Sequence, residues 1–279
     1  MAIGALDLTT YTRAPEIARP LEGLKPPLKW AGGKRWLVPH LRKLWEGHSD
    51  RRLVEPFVGG LAVSLGLQPT TALLNDANPH LINFYRFLQD GLKTRLPMRN
   101  SRVVFDTHRK RFNSLIDAGK ADTTEAAALF YYLNRTGFNG LCRFNSDGFF
   151  NVPFGAYNTI TYTNDFSAYE SALANWEFVH GDFEDLSLEA DDFIYADPPY
   201  DVEFTQYSKD AFTWDDQVRL VEWLAEHPGP VVISNQATDR IVKLYRKSGF
   251  KLRFLDAPRR ISCNGDRTPA REVLAFNNL

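Results

Sequence analysis

Residues 192 to 201 read "DFIYADPPYD", an apolar run, Phe193 to Ala196, that leads straight into Asp197, Pro198, Pro199 and Tyr200. The two prolines cannot donate to a sheet ladder or continue a central strand. The chain therefore leaves the sheet on a stiff backbone that carries a carboxylate and an aromatic ring. Such a set suits the activation of an amino group on an aromatic ring. That amine is a poor nucleophile, because its lone pair is delocalised. A carboxylate at Asp197 accepting one N–H, and the Pro198 carbonyl accepting the other, favour a pyramidal nitrogen with its lone pair turned toward an electrophile. Tyr200 can stack on the face of the ring. This is activation by oriented hydrogen bonds rather than by a strong base. The plain alternative is a proline-rich turn with a capping Asp. The place of the motif, after a buried strand and downstream of a glycine turn, favours chemistry.

The glycine turn is "EPFVGGLAV", residues 55 to 63. Gly59 and Gly60 fall where a short strand turns into a helix, and glycines there let a backbone approach a ligand closely. A tight turn with no ligand uses the same residues, and Leu61 holds the place where a dinucleotide pattern has its next glycine. Asp76 ends the following strand in "TALLNDAN" (71–78). A carboxylate there can accept bonds from both hydroxyls of a ribose, or it can cap the helix that starts in "NDANP". The Lys-Ser/Thr pair of a P-loop is absent.

The elements that must hold these groups follow from periodicity. "RLVEPFV", the glycine turn, "GLAVSLGLQ" and "TALLNDAN" form a strand, turn, helix, strand and acid, which is how a doubly wound α/β sheet opens. "GGKRWLVPHLRKLWE" before it has helical spacing that Pro39 interrupts. From about 83 to 165 the alternation stops and helical text dominates, as in "TEAAALFYYLNRTG". In "GFNGLCRFNSDGFFNVPFG", "NSDG" has turn chemistry between aromatic flanks, so a hairpin-like loop is predicted. Strand-like runs resume at "WEFVHGD", "DFIYAD" and "PVVISN", with "FKLRFLDA" and "EVLAFNN" as closing strands. The expected architecture is an arm over 1–24, a catalytic α/β domain from 25–82 and 166–279, and a mostly helical insert over 83–165.

The chain has 279 residues, 44% hydrophobic and 24% charged, with a formal net charge of −1. That suits one large domain, or one carrying an insert. No overall basic field advertises a polyanion, so a nucleic-acid binder of this balance must gather its basic residues on one face. The two cysteines, Cys142 and Cys263, have neither metal nor redox spacing, and the six histidines show no metal pattern. No stretch has the length of a membrane span and residues 1–24 lack a signal-peptide core, so a cytoplasmic protein is expected.

Six motifs in order carry a resemblance: "KWAGGK" (29–34), "VEPFVGG" (54–60), "LNDAN" (74–78), "YLNRTGFNGLCRFN" (132–145) with "FNVPFG" (150–155), "DPPY" (197–200) and "RRISCNG" (259–265). From about residue 25 to the C-terminus the chain resembles the Dam-type, D12 class DNA adenine-N6 methyltransferases. The resemblance implies a Rossmann-like methyltransferase sheet with a mostly helical inserted DNA-recognition domain. It implies S-adenosylmethionine as methyl donor, no metal, duplex DNA as substrate and GATC as the favoured site. Trp30 and Lys34 would border the donor's methionine end. Phe57 and Gly59 would lie along the donor, Phe57 near its adenine. Asp76 would hold its ribose, and Asp182 and Phe183 would flank its adenine, Asp182 in the place of a more usual Ser. Asp197, Pro198, Pro199 and Tyr200 would handle the target base, and Asp197 would also contact the donor.

A duplex hides adenine N6, so such an enzyme must flip the base and fill the gap. "GFNGLCRFN" offers the parts this needs. Arg143 can grip a guanine edge, Leu141 can touch a thymine methyl, Phe138 can wedge into the stack, and Asn139 can reach a base or phosphate. Taken without the resemblance, Phe138 and Leu141 read as core and Arg143 as a solvated charge. Lys29 corresponds to a position that touches the outer guanine. "HRKRF" (108–112) with Lys93, Arg95, Arg99 and Arg102, and Arg259 and Arg260 with Arg267 and Arg271, are candidates for a local positive face, and only some of them are expected to contact phosphate. A cytosine-N4 methyltransferase is the enzymatic alternative, although Ser rather than Asp197 is more usual there. Methylation of protein glutamine goes with Asn at that place. A non-catalytic DNA-binding protein on the same fold is the other alternative, and the intact Asp197 to Tyr200 and Lys34 speak against it. A monomer is expected, with a cognate restriction endonuclease as a functional partner but not in a stable complex.

Overall fold

The computed structural model describes residues 24–201, 212–257 and 270–279. Seven strands form one sheet: β1 (Leu53–Glu55), β2 (Ala72–Asp76), β3 (Trp176–His180), β4 (Phe193–Ala196), β5 (Val231–Gln236), β6 (Lys251–Ala257) and β7 (Ala270–Asn277). Their order is β3-β2-β1-β4-β5-β7-β6. The first five run parallel, and β7 lies antiparallel between β5 and β6. The expected doubly wound α/β sheet is present, and each strand falls on the run that predicted it.

Alternation along the strands explains the layers. Leu53, Leu74, Phe193 and Tyr195 point to one face, where they join a core with helices α1 (Val38–Trp45), α2 (Ala62–Leu67), α3 (Pro79–Gln89), α4 (Arg102–Asp117), α5 (Thr124–Thr136) and α6 (Ser167–Leu173). Val54, Leu73, Ile194 and Ala196 point to the other, against α7 (Trp214–Ala225) and α8 (Asp239–Lys247). Strands covered on both faces read as continuous apolar runs rather than alternating ones.

The sheet order reverses beside β1. Its carboxyl end turns into α2 toward β2, whereas its other neighbour, β4, belongs to the second half of the chain. In open α/β sheets this switch point leaves a crevice at the carboxyl ends of the strands. Here the ends that flank it carry Gly59-Gly60 and Asp197-Tyr200.

Two local expectations need correction. Pro39 does not interrupt α1; it sits in the helix's first turn, where a missing N–H costs nothing. The expected insert boundary at 83 falls inside α3, whose buried Leu81, Ile82, Phe84, Tyr85 and Leu88 run across it without a break. The insert helices α4 and α5 then pack into the same core as the sheet's first face. The hairpin-like loop is present: Phe144 bridges Phe150, and Asn145 Oδ1 accepts from the amides of Asp147 and Phe149 at 3.2 and 2.8 Å.

Candidate active site

A cleft of about 670 Å³ opens at the switch point, lined among others by Trp30, Lys34, Glu55, Phe57, Gly59, Gly60, Asp76, Asp197, Tyr200 and Phe212. Its floor is the glycine turn. Gly59 has φ +47°, and a Cβ there would stand 2.7 Å from Trp30 Nε1; at Gly60 it would stand 2.6 Å from Trp30 Cβ. Glycine is thus required because the indole of Trp30 lies on the turn. Leu61 continues the turn at φ 62° and is fully buried, so the site of the missing third glycine serves the core.

Asp76 ties this turn to the next helix. Its Oδ2 accepts from the Gly59 amide at 3.1 Å and its Oδ1 from the Asn78 amide at 3.0 Å. The capping role belongs to Asn78, whose side chain accepts from the amides of His80 and Leu81. Burial pushes the Asp76 carboxyl above its usual range, while the two amides pull the other way.

The opposite wall is the Asp197 motif. Lys34 Nζ lies 2.9 Å from Asp197 Oδ2 and 2.9 Å from the Gly32 carbonyl, and 4.8 Å from the centre of the Tyr200 ring. Ser234 Oγ donates to Asp197 Oδ1 at 2.9 Å. Gln217 Nε2 donates to the Pro199 carbonyl at 2.7 Å. The Tyr200 hydroxyl donates to Glu272, which leaves the ring as the part of Tyr200 facing the cleft. Burial holds the Tyr200 hydroxyl protonated and raises the Glu272 carboxyl. Beside them Glu55, 2% exposed, accepts from Ser64; burial, with the Asp197 charge adding to it, pushes its carboxyl up to about 8.

At the far end the cleft has an aromatic wall of Phe57 and Phe212, edge to face at 5.5 Å. Phe183 lies behind this wall, 2% exposed, rather than on the cleft. Asp182 does line the cleft, but Arg219 of α7 grips both its carboxylate oxygens at 2.9 Å. That pairing holds the Asp182 carboxyl below its usual range, and any ligand amine must share it with the guanidinium.

Away from the cleft, the expected DNA-reading residues divide. Lys29, Phe138, Asn139 and Leu141 are brought together: Gly140, φ +64°, packs directly on Lys29, whose backbone N–H and C=O both pair with the Asn134 side chain at 2.8 Å. Phe138 is 47% exposed, so it is not core. Leu141 is half-buried against the core. Asn139 adopts φ 52°, a left-handed conformation that Asn tolerates. Lys29 Nζ donates to the Arg135 carbonyl at 3.0 Å over the face of Tyr157, and burial, with Arg135 nearby, lowers it to about 8. Arg143 is exposed, its Nε donating to Asn151 Oδ1 at 2.8 Å. Arg259 and Arg260 lie outside the described residues.

Sequence reasoning missed Glu55, Ser234, Glu272, Gln217, Arg219 and Phe212. Glu55 left a signal: an acid closing a buried run in "LVEPFV". Among the described residues no group of His, Cys, Asp and Glu could hold a metal ion, and no helix is long and apolar enough to cross a membrane.

Comparison with known proteins gives the family. Residues 30–259 match the family described as D12 class N6 adenine-specific DNA methyltransferase. The chain is similar to a DNA adenine methylase of Vibrio cholerae serotype O1, 38% identical over 271 residues, covering 89% of this chain and 94% of that one. It is 36% identical to a DNA adenine methylase of Escherichia coli K12 over the same shares, and 38% identical to a DNA N-6-adenine-methyltransferase of Escherichia phage P1, of which it spans 35%. A Type II methyltransferase of Lactococcus lactis subsp. cremoris is 34% identical over 91% of this chain and 95% of that one.

Proposed function

The chain belongs to the D12 class of N6 adenine-specific DNA methyltransferases, and from that premise we propose that it moves a methyl group from S-adenosylmethionine to an adenine flipped out of duplex GATC. The observation that carries this reading is a single cleft. It joins the glycine turn and Asp76 on one side to Asp197, Pro198 and Tyr200 on the other. The glycine turn with Trp30 packed on it, the ribose-ready carboxylate of Asp76 and the aromatic wall of Phe57 and Phe212 fit the donor's parts. When bound, the donor supplies a methyl group made electrophilic by a sulfonium.

The residues do the rest. Trp30 and Lys34 border the methionine end of the donor, and Asp182, paired with Arg219, meets its adenine end. Asp197 Oδ2 accepts one N–H of the target amine, using a lone pair that Lys34 does not hold. The Pro198 carbonyl accepts the other. The nitrogen's lone pair is then free for an in-line displacement, and the gain comes from positioning and oriented dipoles. Tyr200 stacks on the base while Glu272 fixes its ring. Phe138 fills the space the base leaves, and Arg143, Leu141 and Asn139 of the inserted domain, with Lys29 packed beneath them, read the flanking pairs.

The test is incubation with labelled donor and duplexes containing GATC or single-pair changes of it, followed by nucleoside analysis. N6-methyladenine confined to GATC is the expected product; N4-methylcytosine, or label spread evenly over all duplexes, overturns the reading. Asp197→Ala should abolish transfer while donor binding by calorimetry survives. Near-normal turnover by that variant removes the amine-acceptor role.

A further inference from the structure

The carboxylate of Asp197 has two different sides. Oδ2 meets Lys34, which lines the cleft. Oδ1 meets Ser234, which is 1% exposed on β5 and takes no part in the cleft lining. A carboxylate only accepts, so Ser234 donates its proton to Oδ1. Its oxygen is then the acceptor for the Tyr195 hydroxyl, 2.8 Å away and also buried. The three groups form one polarised chain from Tyr195 to Ser234 to Asp197, running from β4 to β5 and back to the end of β4. Register explains it: β4 and β5 pair in parallel with Ala196 opposite Ile233, which sets Ser234 beside the start of the motif.

We infer that Ser234 is a positioning residue for methyl transfer: its hydrogen bond fixes the plane of the Asp197 carboxylate so that Oδ2 is presented to the target amine. This inference rests on the acceptor role proposed for Asp197. Without the bond, the one described side chain left holding the carboxylate is Lys34, on the side that the substrate must use. Rotation about its Cβ–Cγ bond then turns Oδ2 off the line of the amine. Charge-assisted bonds hold geometry best, and an acceptor misplaced by a fraction of an ångström loses much of its effect. Beyond Lys34 and Tyr195, the charged or titratable groups facing Asp197 among the described residues are Glu55 from β1, Tyr200 from its own loop, Tyr245 from α8 and Glu272 from β7, and none of these four bonds to Oδ1.

The experiment compares Ser234→Ala, Ser234→Thr, Tyr195→Phe and Asp197→Ala with the parent enzyme, on one GATC duplex with labelled donor, alongside melting curves and calorimetric donor titration. Ser234→Ala should lower kcat about ten- to a hundredfold, the value of a hydrogen bond to a charged group. The KM for donor and for DNA should stay within a few fold. Ser234→Thr, which keeps the hydroxyl, should recover most of that loss. Tyr195→Phe leaves the Ser234 bond in place but unpolarised, and should give a smaller fall. If Asp197→Ala is inactive while Ser234→Ala turns over normally, the positioning role is refuted and the acceptor role stands. If Ser234→Ala and Ser234→Thr lose kcat equally, or if Ser234→Ala loses activity only in proportion to unfolded protein, Ser234 is merely structural. If Asp197→Ala itself is active, the acceptor role has failed and the inference with it.

Discussion

Glu55 offers a stability test that needs no substrate. Its carboxyl is 2% exposed beside the Asp197 charge, accepts from Ser64, and has its pKa pushed from 4.5 up to about 8. Below pH 4.5 the folded and unfolded chains both carry the proton, and Glu55 contributes no pH dependence. Between 4.5 and about 8 the unfolded chain releases the proton and the fold keeps it, so the stability present at low pH is lost as pH rises. Each pH unit is worth about 1.4 kcal/mol at most, so the whole interval amounts to roughly 4–5 kcal/mol as an upper bound. Glu55→Gln keeps a carbonyl for the Ser64 hydroxyl and has nothing to release. Denaturant unfolding of both proteins at pH 5, 6, 7 and 8 isolates the contribution, because all other titrations cancel in the difference. The variant should match or trail the parent at pH 5 and overtake it steadily toward pH 8. Parallel stability curves over that range would falsify the protonated, buried state of Glu55.

Other substitutions probe the donor side and the DNA side. Asp76→Ala orphans the Gly59 and Asn78 amides, so unfolding free energy should fall by about 1–3 kcal/mol and donor affinity should fall with it; intact affinity in a folded variant, read by calorimetry, would reduce Asp76 to a structural tie. Arg143→Ala should cost roughly 1–3 kcal/mol of discrimination at one base pair, measured as methylation rates on duplexes altered one pair at a time; a uniform drop with selectivity preserved would make it a phosphate anchor. Lys29 loses its charge as pH rises through about 8, so DNA affinity should weaken between pH 7 and 9 in the parent and much less in Lys29→Gln; equal slopes in a fluorescence anisotropy titration would remove Lys29 from the interface.

What could be read from sequence was local chemistry. Asp197-Pro198-Pro199-Tyr200 and Gly59-Gly60 announce themselves because their backbone demands are written in neighbouring residues. Ser234, Gln217 and Glu272 do not. In "PVVISNQ" the serine looks like any small residue at a strand's end, and only the placing of β5 beside β4 turns it toward Asp197. Glu272 reaches Tyr200 because β7 lies antiparallel beside β5, a pairing that periodicity cannot reveal. Asp182 was legible as an acid after a strand, but its partner Arg219 stands 37 residues away on α7. The expected boundary at about 83 falls inside α3 for a related reason: the helix runs across the change in pattern without a break.

Residues 29 to 34 show how these distant parts share one geometry. The backbone of Lys29 is pinned to Asn134 on α5, and its side chain lies under the Phe138 to Gly140 turn. The next residue, Trp30, lies on Gly59 and Gly60. Four residues on, Lys34 pairs with Asp197. One short segment thus touches the proposed base-reading turn, the floor of the proposed donor cleft and the proposed acceptor carboxylate. Such a segment cannot shift at one contact without straining the others, because Lys29 is held at both backbone groups and Trp30 is in contact with glycines that have no side chain to yield. A common core behind α3, α5 and the sheet gives that segment a rigid bed. In this arrangement the distance from the proposed reading turn to the Asp197 carboxylate is set by the shared core and by the contacts of residues 29 to 34.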